Sequence, residues 1–232
     1  MFQLGAEIIF PPVEYADQYG LLAFGGDLSL ERLLLAYRNG IFPWYSEGQP
    51  ILWWSPDPRM VIYPGQLHIS RSLRKSLRRG DFKVTLDACF KDVVTACGQS
   101  RIDSGEGTWI LPEMAAAYCN LHRAGFAHSV EVWRDGALAG GMYGVSLGRA
   151  FFGESMFSYQ TNASKTAMAY LMAQLRRWEF GLLDCQVANP HLERMGGVNI
   201  SRADFLHKLK TLLRYPARRG VWRLDGDIAA SF

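Results

Sequence analysis

Between His128 and Leu147 two strand-like runs are joined by the dipeptide Asp135-Gly136, and no other feature limits the fold so tightly. His128 to Arg134 alternates as a strand, and Asp-Gly is a preferred pair for a type I′ turn, so Ala137 to Leu147 must return antiparallel. Arg149 to Ser158 reads as the next strand. Ala163 to about Phe180 reads as a helix, and Leu182 to Ala188 as a further strand of the same sheet. The pattern predicts an α+β chain.

Upstream, residues 1–63 form a compositional unit of their own, set apart from 64–232. Ser29 is a good N-cap for a helix running to Arg38, with Gly40 at its stop. Prolines 43, 50, 56 and 58 argue against regular structure around Trp44, Trp53 and Trp54, leaving three tryptophans expected on loops. Beyond Pro64 the pattern predicts a basic helix from Ser70 to Arg79, a strand from Phe82 to Leu86 and a helix from about Ala88 to Cys97. Pro112 opens a helix to about Ala124, and two more lie near Pro190 to Met195 and Arg202 to Leu213.

At 232 residues and 49% hydrophobic composition, a disordered state is excluded. No signal-peptide pattern occupies Met1 to Phe10, and the longest uncharged stretch in the middle of the chain, Ala137 to Gly148, falls short of a membrane helix of about 20 residues. A cytoplasmic protein without a membrane partner is expected. Four scattered cysteines with no Cys-x-x-Cys argue against zinc and disulfides. The net charge is only +3, yet Arg71, Arg74, Lys75, Arg78, Arg79 and Lys83 face Asp81 alone in one short span. Lys208, Lys210, Arg214, Arg218, Arg219 and Arg223 form a second cluster. Either can be a solvated face; together they keep an anionic polymer in view as partner.

Gly144-Val145-Ser146-Leu147-Gly148 matches a nucleophile elbow, but a strand rather than a helix follows, so a turn between strands is expected. Asn162-Ala163-Ser164-Lys165-Thr166 opens a helix and can hold an anion, yet lacks the glycines of a P-loop. The five histidines combine with nothing at short range. Glu154, inside Gly153-Glu154-Ser155-Met156-Phe157-Ser158, and the run Asp184-Cys185-Gln186 place acids in apolar strands. Such acids are costly to bury without partners, so they are hydrogen-bonded or in a cleft. A strand period of two puts Asp184 and Gln186 on one face and Cys185 on the other, which excludes the thiol.

With Gly40-Ile41-Phe42-Pro43-Trp44, Leu52-Trp53-Trp54-Ser55-Pro56-Asp57-Pro58-Arg59, Gly107-Thr108-Trp109-Ile110, Gly140-Gly141-Met142-Tyr143-Gly144-Val145 and Asp184-Cys185-Gln186-Val187, these blocks resemble the leucyl/phenylalanyl-tRNA–protein transferase family over nearly the whole length. The resemblance implies a small N-terminal domain and a GNAT-like acyltransferase domain, whose mainly antiparallel central sheet is flanked by helices. It implies transfer of Leu, Phe and less well Met from aminoacyl-tRNA to the α-amine of acceptor proteins with N-terminal Arg or Lys. The product is a degradation signal of the N-end rule pathway. No cofactor or metal is implied, and a monomer is expected.

By the same resemblance, Trp44 and Trp109 hold the terminal adenosine, to which each aromatic platform contributes roughly 1 to 3 kcal/mol. Met142, Phe151, Met168, Leu171, Leu175 and Leu183 build the amino-acid pocket, with Ser155 beside them. Arg71, Arg74, Lys75, Arg78, Arg79 and Lys83 meet tRNA phosphates. Glu154, Asp184 and Gln186 are the catalytic candidates, with Tyr118 and Asn189 supporting. An amide is no base at neutral pH, so Gln186 orients rather than deprotonates, with Asp184 expected to hold it. Glu154 is expected to position the acceptor or attract its charge, while an activated ester and an amine of pKa about 7.7 to 8.0 need little acid–base help. Arg194-Met195 stands where relatives commonly have Ser-Leu. An acetyl-CoA-dependent acetyltransferase, a plain RNA-binding module and a peptidoglycan-type aminoacyl transferase are the competing readings.

Overall fold

Asp135 and Gly136 have φ of 52° and 79°, the two left-handed residues of a type I′ turn, and Arg134 pairs with Ala137 across it. This hairpin lies in the larger sheet of the computed structural model, which describes residues 1–105 and 107–232. Before it the chain forms β1 (Phe2–Leu4), β2 (Leu21–Gly25), α1 (Leu30–Arg38), β3 (Phe42–Pro43), β4 (Leu52–Trp54) and β5 (Arg59–Ile62). There follow α2 (Arg71–Arg79), β6 (Lys83–Leu86), α3 (Phe90–Asp103) and α4 (Pro112–Arg123). The hairpin is β7 (Ala127–Arg134) and β8 (Ala137–Leu147). After it come β9 (Ala150–Ser158), α5 (Ala163–Arg177), β10 (Leu182–Gln186), α6 (Pro190–Arg194), β11 (Val198–Ile200) and α7 (Arg202–Leu212).

Two sheets result. The small one has the order β1-β2-β4-β3, and the large one β11-β5-β10-β9-β8-β7-β6. Every neighbouring pair in the large sheet is antiparallel except β9 and β10. The expected α+β class with a mainly antiparallel sheet is therefore what the chain forms. α5 is the crossover that joins the parallel pair, as parallel strands require. It packs Met168, Leu171 and Leu175 with Met142, Phe151 and Leu183 on one face of the sheet. On the other face Tyr37, Val93, Tyr118, Leu121, Phe205 and Leu209, from α1, α3, α4 and α7, meet Tyr143, Val145 and Phe152.

Several local readings are sharpened by packing. Gly144 to Leu147 lies inside β8 with Ser146 buried, so no elbow exists; the turn is confined to Gly148 and Arg149. Gly148 has φ +56°, and a Cβ there would stand 2.3 Å from the Leu212 carbonyl oxygen of α7. α3 runs past the expected end at Cys97, because Gly98 is a helix-interior residue packed against Ile110.

The prolines near the tryptophans do not exclude strands. Pro43 sits in β3, the edge of the small sheet, where a missing N–H costs least. Trp53 is a core residue of β4, its Nε1 donating to the Gly25 carbonyl at 2.9 Å, whereas Trp44 stays 44% exposed. Among the described residues no helix is long and apolar enough to cross a membrane.

β5 belongs to the large sheet although it precedes residue 63, and it carries the tie between the two parts of the chain. Arg59 is 1% exposed; its Nε and Nη2 donate to Asp184 Oδ1 and Oδ2 at 2.8 and 2.7 Å. Its Nη1 donates to the Gly40 carbonyl at 3.1 Å, and its guanidinium lies 4.8 and 4.6 Å from the ring centroids of Phe42 and Phe205. A bidentate pair sealed in this way is costly to halve. Arg59→Leu should lose about 3 to 5 kcal/mol in urea unfolding, whereas the double variant Arg59→Leu/Asp184→Leu should regain about 1 kcal/mol or more of that loss.

Candidate active site

β9 and β10 pair only from Ala150 to Phe152 and from Leu182 to Asp184. Beyond these residues β9 continues against β8 alone, while the pairing of β10 with β5 shifts register between Asp184 and Gln186. A wedge opens where the strands part. Gln186 lies on this bulge with φ +66°, a left-handed conformation that is costly for a residue with a side chain. Asp184 holds it there, since its Oδ1 accepts the Gln186 backbone N–H at 2.9 Å.

The bulge overturns the face assignment expected from strand period. Cys185 and Gln186 both line the wedge, and Asp184 is buried behind it on Arg59. Asp184 thus fixes the backbone of Gln186 rather than its amide. The amide is held by Glu154 instead: Nε2 donates to Oε1 at 2.9 Å. Cys185 is disqualified as a nucleophile by electrostatics, not by parity. Burial raises its thiol pKa and the Asp184 carboxylate raises it further, so it stays protonated.

Glu154 is 8% exposed and receives two more donors. Tyr37 of α1 donates to Oε1 at 2.8 Å, and Tyr118 of α4 donates to Oε2 at 2.6 Å. Burial pushes the carboxyl up to about 7, the two tyrosine hydrogen bonds oppose that rise, and Asp184 adds to it while Arg59 subtracts. Both tyrosine hydroxyls are themselves raised well above their ordinary value, by burial first and by Glu154 second.

The cavity beyond these groups measures about 350 Å³. Trp44 and Trp109 stand in its lining, as do Met142, Glu154, Ser155, Met168, Leu183, Gln186 and Asn189. Phe151, Leu171 and Leu175 do not: all three are fully buried in the layer between sheet and α5. They support the pocket from behind, because at those positions the helix stripe faces the sheet rather than the wedge. Tyr118 lies under Trp109, ring centroids 6.4 Å apart, and meets the site only through its hydroxyl. Asn189 caps α6, its Oδ1 accepting from His191 N at 2.8 Å.

Phe42, Pro43, Met156, Val187 and Leu192 also line the cavity; the first four stand inside the sequence blocks that carry the resemblance, though none of them was singled out itself as a site residue. Tyr37 and Arg59 gave no sequence signal as site residues; each becomes one through contacts more than a hundred residues away.

Arg71, Arg74, Lys75, Arg78 and Arg79 share one shallow depression on α2, where Arg79 is paired with Asp81 at 2.7 Å and Arg78 Nε donates to the Phe232 carbonyl at 3.0 Å. Lys83 lies in a different depression with Trp133.

The chain is matched by two family models, both of transferases that work with aminoacyl-tRNA. The model for leucyl/phenylalanyl-tRNA protein transferase covers residues 61–210, and that for its N-terminal domain covers 26–57. The leucyl/phenylalanyl-tRNA–protein transferase of Desulfatibacillum aliphaticivorans is 56% identical over 227 residues, covering 98% of this chain and 97% of the relative. That of Alkalilimnicola ehrlichii is 59% identical over 222 residues, covering 94% and 86%. Among solved structures, L-PGS from Bacillus licheniformis aligns at a TM-score of 0.39 and 13% identity over 90% of this chain and 70% of that one, a distance at which nothing about activity follows. The chain belongs to the leucyl/phenylalanyl-tRNA–protein transferase family.

Because the Glu154 carboxyl is raised to about 7 from an ordinary 4.5, the folded state binds more protons than the unfolded one between those values. Stability is therefore lost as pH rises through that window, by about 3 kcal/mol in total. Urea titrations at pH 5 and pH 8 should show Glu154→Gln gaining on the wild type as pH rises; a difference independent of pH would count against the shift.

Proposed function

We propose that this protein moves leucine or phenylalanine, and methionine less well, from aminoacyl-tRNA to the α-amine of proteins that begin with Arg or Lys. Transfer from aminoacyl-tRNA to protein is the activity of its family. The observation that carries the finer reading is the wedge between β9 and β10, an apolar slot with two tryptophans in its lining and an amide and a carboxyl among its polar groups. In this reading Trp44 and Trp109 take the terminal adenosine by stacking, which suits any base face. Met142, Met168 and Leu183 receive the amino-acid side chain, and thioethers adapt readily to both branched and aromatic shapes.

The chemistry asked of the protein is modest. Gln186 cannot take a proton, but with Nε2 committed to Glu154 its carbonyl oxygen remains to accept from the incoming amine. Holding amine and ester in register then supplies much of the rate. The basic face of α2 meets the acceptor-stem phosphates; within it, among the described residues, Arg71, Arg74 and Lys75 lack the acidic partner that Arg79 has. The division between the two parts falls at 55–58, between the last strand of the small sheet and β5. The protein acts as a cytoplasmic monomer.

Labelled leucyl-tRNA with a protein bearing N-terminal Arg should give labelled protein without ATP. No incorporation from leucyl-, phenylalanyl- or methionyl-tRNA would overturn the reading, and tight binding of acetyl-CoA in its place would favour an acetyltransferase. Trp44→Ala and Trp109→Ala should each weaken donor binding by about 1 to 3 kcal/mol in a titration with charged tRNA, leaving the unfolding midpoint of exposed Trp44 nearly unchanged.

A further inference from the structure

The transfer leaves one proton without a destination. An α-amine near neutral pH is mostly ammonium, with a pKa of about 7.7 to 8.0. On its way to an amide the nitrogen gives up two protons. The leaving ribose oxygen takes one, and the other needs a base within the site. Gln186 is not a base, Asp184 is sealed on Arg59, and Cys185 holds its own proton.

Glu154 and its two tyrosines have the geometry of an incomplete ring. The Tyr37 and Tyr118 hydroxyl oxygens are 2.7 Å apart, while each is also within hydrogen-bond distance of the carboxylate, at 2.8 and 2.6 Å. With Glu154 ionised, these three short contacts share two hydroxyl hydrogens, so one contact sets lone pair against lone pair. One added proton completes the set: Glu154 Oε2 donates to Tyr118, Tyr118 to Tyr37, and Tyr37 to Oε1. The Gln186 amide can donate to Oε1 in both states, because that oxygen has two lone pairs.

We propose that the acceptor's ammonium gives its first proton to Glu154, and that the Tyr37 and Tyr118 hydroxyls close a three-oxygen ring that holds it. The ammonium N–H bond breaks and the Glu154 O–H bond forms. The freed pair on nitrogen attacks the ester carbonyl carbon. The C–O bond then breaks with its pair on the ribose oxygen, which takes the second proton from nitrogen. Glu154 returns its proton to water between turnovers.

The surroundings suit such a role. Besides the two tyrosines and Gln186, Glu154 is faced by Tyr143 of β8, Asp184 of β10 and Arg59 of β5. Of these three only Arg59 is a cation, and Asp184 already holds it; Arg101 of α3 lines the same cavity. A carboxyl raised to about 7 is closely matched to the amine it deprotonates. Tyr37 is a positioning residue here, supplied by α1 outside the large sheet, so the N-terminal part of the chain completes the proton acceptor.

This inference rests on the transferase reading, and the experiment separates the two. Single-turnover transfer from leucyl-tRNA is measured at pH 7 to a peptide with N-terminal Arg. It is repeated with the same peptide carrying an aminooxy group in place of the α-amine, which is neutral at that pH. Glu154→Gln should slow the amine acceptor by about 100-fold and the aminooxy acceptor by about 10-fold or less, since only the first carries an ammonium proton that must leave before attack. Tyr37→Phe removes one oxygen and keeps the ring that packs 5.0 Å from Phe152. It should cost about 10-fold with the amine and about 3-fold or less with the aminooxy acceptor. Equal losses with both acceptors overturn the proton-acceptor role while the transferase reading stands. A wild-type protein that uses neither acceptor overturns both.

Discussion

The guanidinium of Arg59 and the carboxylate of Asp184 are both withdrawn from water, and neither could be there without the other. Their two hydrogen bonds join neighbouring strands β5 and β10, and the third donor of Arg59 reaches back to Gly40 at the end of α1. Phe42 and Phe205 close over the charge from the N-terminal part and from α7. One ion pair thus registers the two sheets and a C-terminal helix against each other. The same Asp184 holds the left-handed bulge at Gln186, so the placement of the site's amide depends on a contact that touches no substrate.

Two carboxylates a few residues from the same wedge live under different electrostatics. Asp184 has a full cation against both oxygens. Glu154 has neutral donors only, three of them, and burial drives it toward its protonated form near pH 7. A buried acid compensated by hydroxyls and an amide, rather than by a cation, remains able to change its charge. That asymmetry assigns the structural task to one acid and the chemical opportunity to the other.

What was legible from local pattern was considerable. The Asp135-Gly136 turn, the Ser29 cap and the βα alternation after Ser158 all appear where residue type and spacing put them, because each depends on interactions within a few residues. Glu154 and Gln186 could be singled out as polar groups misplaced in apolar strands, and the structure brings them to 2.9 Å. Trp53 was misplaced because Pro50 and Pro56 fall just outside β4 and its partner Pro43 sits on the edge strand β3, where a missing N–H is harmless. Leu171, Leu175 and Phe151 entered the pocket through the family resemblance, and a matched block does not distinguish a residue that lines a cavity from one packed behind it.

The sequence by itself determined the order of most elements from α2 to α7, the antiparallel hairpin, the family and the stretches that carry the site. Those rest on hydrophobic period, turn chemistry and motif blocks, all of them local or additive along the chain. Only the tertiary structure decided that Asp184 turns to Arg59, that Cys185 shares the wedge with Gln186, and that Tyr37 reaches Glu154 from α1. A single extra residue in one strand inverts side-chain parity, and a buried acid takes whichever donors packing brings within 3 Å; neither is written in residue spacing.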